Sequence, residues 1–346
     1  MSALREAPAP EAELWAAVDR LVARAPQLSD LLNHRLELFA ARQLRAAGEP
    51  VPPELLARER HAAVTFLAVP ALLERVRAAY DGPLLLWKGP EAAARYPDPA
   101  LRAFGDVDLL TPDAAAAQND LLRAGFREVG DPALYRGIHH LRPLQWPGLP
   151  LAVELHSRPK WLDPLVPPSS SSVFSGAGRA LVAVDGFSAP SPARHAVLLA
   201  VHSWAHEPLR ILRDLVDVAA LSAEASEDEA ADVAREWGVE RLWATTVSTR
   251  DCLFAGDRRP LALRVWAQNL ERVRERTVLE NHVQRWLSDL WALPVGLALR
   301  RMPTTLAGEL STARGEGWAH KLSRSRLAVR NATRRRSEHE REAGVG

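Results

Sequence analysis

Between residues 81 and 156 the hydrophobic pattern of the chain changes period, and that change limits the folds open to it more than any other feature. Before it, apolar residues recur at helical spacing: Leu14, Val18, Leu21 and Val22 stand at offsets 0, 4, 7 and 8, and Leu31, Leu32, Leu36, Leu38 and Phe39 continue in the next segment. Pro52-Pro53 suits the first turn of a further helix that runs to about Tyr80 and is expected to kink or break at Pro70. After the turn residues Asp81-Gly82-Pro83, the run Leu84-Leu85-Leu86-Trp87 is too short for a helix and reads as a buried strand ended by Gly89. A short helix over 91–96 precedes a second strand, Asp106-Val107-Asp108-Leu109-Leu110, which stops at Thr111-Pro112. A helix over 113–124 and strands around 126–129 and 151–155 follow, the last two separated by a Pro- and Gly-rich stretch over 142–150.

Beyond Trp161 the pattern weakens. Pro167-Pro168 and the serines from Ser169 to Ser172 predict a flexible connection. Helical spacing then returns over 193–206, 209–223, 227–237, 242–254 and 261–290, in an Ala-rich context that favours helix. The expected organisation is an N-terminal helical segment (1–80), a mixed core (81–160), a linker with short strands (161–192), a C-terminal helical domain (193–310) and a basic flexible tail (311–346). The fold class is α+β.

Composition narrows the function classes. With 346 residues, 47% of them hydrophobic, the chain has material for a true core, and its single cysteine, Cys252, allows no internal disulfide. Nothing near Met1 combines a basic start, an uninterrupted apolar run and a cleavage site, so a cytoplasmic location is expected. No stretch approaches the roughly 18 consecutive apolar residues of a membrane span. A formal charge of +1 argues against a partner held by bulk electrostatics. The exception is 321–346, where eight Lys/Arg stand against three Glu: a solvated basic tail, or a contact for nucleic acid or another anionic surface.

The chemistry-bearing residues lie in the mixed core. On a strand, Asp106 and Asp108 point to one side while Val107 and Leu109 face the other. Adjacent anions repel, and a hard divalent cation such as Mg²⁺ relieves that repulsion while binding substrate phosphates. Two such ions about 4 Å apart can clamp an in-line phosphoryl displacement. Gly89, between strand and helix, lets backbone N–H groups approach a phosphate, and Lys88 beside it supplies a point charge or is simply a strand-end lysine. Glu154 in Leu151-Ala152-Val153-Glu154-Leu155 is a polar residue on an apolar strand. It is either a third metal ligand and proton acceptor or a residue facing water at a sheet edge.

The combination of Lys88-Gly89, Tyr96-Pro97, Arg102 and Asp106-Val107-Asp108-Leu109-Leu110 resembles an uncharacterised bacterial nucleotidyltransferase family. Its pattern is KG, then YP, then R-x-x-x-D-[IV]-D-L-L, within the superfamily typified by DNA polymerase beta. The resemblance continues through Val153-Glu154-Leu155-His156, Val201-His202-Ser203-Trp204 and Leu212-Arg213-Asp214-Leu215-Val216-Asp217, and covers roughly 54–290. It implies a polymerase-beta-like core, a small mixed sheet with helices, flanked by helical segments. It implies a Mg²⁺-dependent enzyme, using two ions or Mn²⁺ in their place, that moves an NMP group from an NTP, ATP by default, to an acceptor hydroxyl with release of pyrophosphate. By the same resemblance Asp106 and Asp108 are the metal pair, Glu154 the third acidic position, Gly89 the phosphate-side glycine, and Arg102 a phosphate contact.

Pro90 departs from the superfamily, which usually places glycine or serine there, and it has no N–H to give. A catalytically degenerate nucleotide- or protein-binding domain of the same fold is therefore the second reading. A third rests on His202 and His206, which share a helix face as zinc ligands do; Ser203 stands where a zinc hydrolase of the H-E-x-x-H kind has its glutamate. Packing or a place along the nucleotide cleft are the other roles open to this pair. Arg213 either faces a nucleotide or pairs with Asp214. His139-His140 receives no role. Most of the eleven tryptophans sit among aliphatics at helix positions and read as packing, and Trp87 as a buried strand residue or a base contact.

Overall fold

The computed structural model describes residues 10–135, 139–312 and 317–342. The expectations resting on the first nine residues, and on 313–316 and 343–346 of the basic segment, lie outside the described residues. Seven strands form one mixed sheet: β1 (Leu85–Leu86), β2 (Asp106–Leu110), β3 (Arg127–Glu128), β4 (Leu144–Gln145), β5 (Ala152–His156), β6 (Gly178–Arg179) and β7 (Ser188–Ala189). Their spatial order is β3-β4-β5-β2-β1-β7-β6. β2 is central, parallel to β5 and antiparallel to β1, and β1 pairs in parallel with β7. The mixed α+β architecture, a sheet embedded among helices, is the one expected.

The two-residue period decides which way each side chain faces. Leu84, Leu86, Val107, Leu109, Val153 and Leu155 pack with Val69, Leu72, Leu73 and Val76 of the helix Pro53–Ala79 and with Leu121 of the helix Ala114–Ala124. Leu85, Trp87 and Leu110 point the opposite way, into a core shared with the helices Pro192–His206 and Leu212–Ser222. The central strands β2 and β5 are covered on both faces, so Asp108 and His156 are enclosed between sheet and helices while Asp106 reaches the space between them.

Several local expectations change. The helix Pro53–Ala79 runs through Pro70, which sits on its exposed side while Val69, Leu72 and Leu73 bury the opposite stripe; tertiary packing outweighs the missing backbone hydrogen bond. The serines form a short helix, Ser170–Phe174, capped by Ser169, instead of a flexible link. The strands of 161–192 complete the core sheet through β7 on β1, so the core extends beyond residue 160. The stretch 261–290 is broken into short helices, with Val273 at φ 44.

The basic segment is not an extended tail among the described residues. It forms the helices Trp318–Arg330 and Arg336–Glu342, and its arginine run is paired: Arg335 with the buried Asp30 at 2.7 Å, Arg336 with Glu207 at 2.9 Å and Arg334 with Glu342 at 3.0 Å. Trp204, Trp266 and Trp291 pack edge to face, as their aliphatic neighbours predict. No helix among the described residues is long and apolar enough to cross a membrane.

His34 ties the N-terminal helices to the C-terminal ones. Its Nδ1 accepts from the Leu212 amide at 3.2 Å and its Nε2 donates to the Arg274 carbonyl at 3.0 Å, a pair of bonds only the neutral ring can make. Burial lowers its pKa to about 4, and burial likewise lowers His195, which donates to the Trp87 carbonyl, to about 3. Both folded values lie below the ordinary 6.5, so these groups cost nothing above that pH. Below it the unfolded chain takes up protons that the folded chain refuses. Stability is expected to fall as pH drops from about 6.5 toward 4, and His195→Gln, which keeps an N–H for Trp87, flattens that slope; urea titrations at pH 7.0, 6.0 and 5.0 measure both.

Candidate active site

β2 and β5 run parallel in a register that sets Asp106 against Ala152, Asp108 against Glu154 and Leu110 against His156. Asp106, Asp108, Glu154 and His156 consequently project from the same face of two neighbouring strands, toward the helix Pro192–His206. The expectation that the strand carrying Glu154 lies beside the aspartates is met, and that strand is interior, not an edge. Asp108 is fully buried. Its Oδ1 accepts from Lys88 Nζ at 3.0 Å and from His156 Nε2 at 2.9 Å, while its Oδ2 has no hydrogen-bond partner. Asp106, two residues earlier, borders open space.

The electrostatics follow from this crowding. Burial alone would raise Asp108, but Lys88 and His156 outweigh it and hold the carboxyl well below the usual carboxylate range. Burial, reinforced by the Asp108 charge, raises Asp106. Burial together with repulsion from Asp108 and Asp106 pushes Glu154 up to about 8. The three carboxylates are thus unequal: one is firmly ionised, and two resist full charge until a further cation arrives.

Asp108, Glu154 and His156 each offer a ligand atom within 4.8 Å of the others, and among the described residues they are the one group of three or more such side chains. The orphaned Asp108 Oδ2 and the His156 Nδ1, also buried without a partner, are the polar atoms a cation and its surrounding groups would satisfy, so the donor set fits a divalent metal.

A cleft of about 670 Å³ opens beside this face. Lys88, Gly89 and Asp106 form its sheet side, and His202, His206 and Arg213 belong to its helical side. Gly89 has φ 56 and ψ −120, and a Cβ there would stand 2.9 Å from the Asp106 carbonyl oxygen, so the turn needs glycine for its conformation and for its close approach to β2. Pro90 is the first residue of the helix Pro90–Ala93, where a missing N–H breaks no helical bond.

Arg102 does not reach out as a phosphate contact. It is 4% exposed, donates to both oxygens of Asp217 at 2.7 Å through Nε and Nη2, and gives Nη1 to the Gly89 carbonyl at 3.1 Å. Asp217 also accepts from the Tyr96 hydroxyl at 2.6 Å. Arg102 therefore positions the glycine turn from behind, because its charge is neutralised by Asp217. Trp87 is buried in edge-to-face contact with His156 and His202, so it packs the site rather than meeting a base.

Sequence reasoning left out most of the histidines. His139, His140 and His156 cluster with ring centroids 4.8 to 5.4 Å apart, and His140 Nε2 stands 3.8 Å from Glu154 Oε2. His202 and His206 meet edge to face with centroids 4.5 Å apart. Burial and the neighbouring cations lower His139 to about 3 and His206 to about 4, and hold His202 well below its usual value. Burial also lowers His140, so the imidazole nearest Glu154 on the loop side resists a proton. The Lys160 ammonium lies 2.8 Å from His206 Nδ1, the nitrogen a zinc ion on the His202–His206 pair would compete for. Only the position of His156, two residues after Glu154 on a strand, could have been read in advance as facing the aspartates.

A family model described as uncharacterised nucleotidyltransferase matches residues 22–254. The chain belongs to that family. No curated protein and no solved structure matches it. The matched span holds β1 through β7 and every residue that lines the cleft, and it ends with the helix Glu240–Phe254. Within this family member the Arg102–Asp217 pair joins sheet to helical region, and breaking one partner leaves the other charge buried. Arg102→Met is expected to cost about 3–5 kcal/mol of stability. Arg102→Met/Asp217→Leu should recover much of that loss, and guanidinium unfolding of the two variants gives the comparison.

Proposed function

We propose that the protein transfers a nucleotidyl group from an NTP to an acceptor hydroxyl, releasing pyrophosphate. The observation that carries this reading is the register of β2 on β5, which gathers Asp106, Asp108 and Glu154 on one face, with Asp106 lining the cleft and an unsatisfied oxygen on the buried Asp108. Membership in a nucleotidyltransferase family supports the reaction class. Asp106, Asp108 and Glu154 would hold Mg²⁺, or Mn²⁺, for which the His156 imidazole beside them is a suitable neighbour. When bound, the metal supplies Lewis-acid charge stabilisation to the phosphates.

The chain's own residues do the rest. Lys88, on the sheet side of the cleft, keeps Asp108 ionised and places an ammonium beside the incoming phosphates. The Gly89 turn, held by Arg102, lets the phosphate chain approach the backbone. Glu154, beside His140 and His156, accepts the proton of the attacking hydroxyl, a role suited to a carboxylate whose proton affinity is raised. The packed wall of Trp87, His202 and His156 excludes water, the competing acceptor.

Incubation with each α-labelled NTP, Mg²⁺ or Mn²⁺ and a cell extract tests the reaction. Asp106→Asn and Asp108→Asn should abolish label transfer, and Glu154→Gln should slow it by about 10²–10⁴-fold. Nucleotide binding with no pyrophosphate release under any of these conditions would instead establish the degenerate binding domain. A Gly89→Ala variant should retain metal binding and lose transfer, because the added methyl group collides with the Asp106 carbonyl; metal titration beside the label assay separates the two effects.

A further inference from the structure

On the helical side of the cleft the acidic groups are matched with partners, and one buried cation has no carboxylate at ion-pair distance. Asp217 is taken up by Arg102 and Tyr96, Glu207 pairs with Arg210 at 2.7 Å, Glu37 with Arg58 at 3.5 Å, and Asp214 accepts from Ser203 at 2.9 Å. Arg213 is 9% exposed and lies four residues before Asp217 on the same helix, yet no carboxylate among the described residues stands within ion-pair distance of it. Its Nη1 donates to the Ala103 carbonyl at 3.0 Å, just ahead of β2, and its Nε has no partner at all. Asp217 and Asp214 act on it only from beyond ion-pair distance, and a buried guanidinium with an unpartnered N–H is costly unless an anion completes it.

Two further features of the same wall point the same way. Arg35 also lines the cleft, is exposed, and has no ion pair among the described residues; its backbone is held at φ 57, ψ 40 as the closing residue of the helix Leu28–His34. The helix Leu212–Ser222 begins at the cleft; His34 Nδ1 takes the Leu212 N–H and Asp214 of the first turn is bound by Ser203, while Ile211 brings no polar side chain for the N–H groups that follow.

We propose that Arg213, with Arg35 and the first turn of the helix Leu212–Ser222, forms the seat for the donor's β- and γ-phosphates, opposite Lys88 and the carboxylates. This assignment rests on the cleft being a nucleotidyl-transfer site. It replaces Arg102, whose guanidinium is already satisfied from behind. Several separate donors converging on one region suit a polyphosphate with many oxygens better than a single carboxylate, and the planar guanidinium matches phosphate geometry. The position also orients the leaving group: the β- and γ-phosphates rest on the helical wall while the α-phosphate stays at the Gly89 turn and the carboxylates.

The probe is inorganic tripolyphosphate, titrated calorimetrically into the full chain in EDTA, where binding cannot run through a metal on the carboxylates. Arg213→Gln should weaken binding by about tenfold or more, Arg213→Lys by less, and Arg35→Asn, an amide that tolerates the left-handed backbone, by a few-fold. Thermal unfolding separates this role from a structural one: Arg213→Gln is expected to leave the melting temperature unchanged or higher, because it removes an uncompensated buried charge. Tripolyphosphate bound equally well by parent, folded Arg213→Gln and Arg35→Asn would overturn the seat. Weakened binding in the variants of a protein that turns over no NTP would uphold the seat and defeat the transfer reaction, so the two failures are distinct.

Discussion

Asp108 is a carboxylate without solvent exposure in the middle of a sheet, and the surrounding structure is arranged to tolerate it. Lys88 reaches it from the end of β1 and His156 from the end of β5, so the strands on both sides of β2 each contribute a partner to the same oxygen. That arrangement requires β1, β2 and β5 to be neighbours, and it leaves the second oxygen and the two other carboxylates short of positive charge. The cleft, its histidine wall and the arginines of its helical side are organised around that deficit.

The layers behind the site are organised by the same rule, that a buried charge must be matched. Arg102 and Asp217 neutralise each other and fasten the glycine turn to the helical region. Arg335 and Asp30, and Arg336 with Glu207, fasten the C-terminal segment to the N-terminal helices and to the cleft's edge. Where the matching stops, at Arg213 on the cleft wall and at Asp108 Oδ2 on β2, the unsatisfied groups are of opposite sign. A metal-bound polyphosphate would satisfy both at once, since it brings cations to the carboxylates and anionic oxygens to the arginine.

Much of this was legible in the chain. Asp106 and Asp108 alternate with Val107 and Leu109, and the two-residue period of a strand was enough to place both carboxylates on one side. Glu154 stood out because a charged residue among Leu151, Val153 and Leu155 needs a partner. Lys88 and Gly89 were readable from a turn that only glycine makes easily. Arg102 was misassigned because its spacing from the aspartates says that it is near them and not which way it points. Its partner Asp217 lies 115 residues away, and only folding brings the pair together. The serine run and the basic segment were read from composition as mobile, yet capping by Ser169 and specific ion pairs order both, contacts that composition does not encode.

What the chain by itself determined was local: the strand and helix periods, the glycine turn, and the side of β2 on which the acids stand, because each follows from backbone geometry within a few residues. The tertiary structure decided which charges are compensated. Coulombic matching depends on distances across the fold, and those are set by strand order and helix packing. Lys88 and His156 meet on Asp108 through the order β1-β2-β5, Arg102 is held by Asp217 and the Gly89 carbonyl, and Arg213 is left at the cleft with no carboxylate at ion-pair distance.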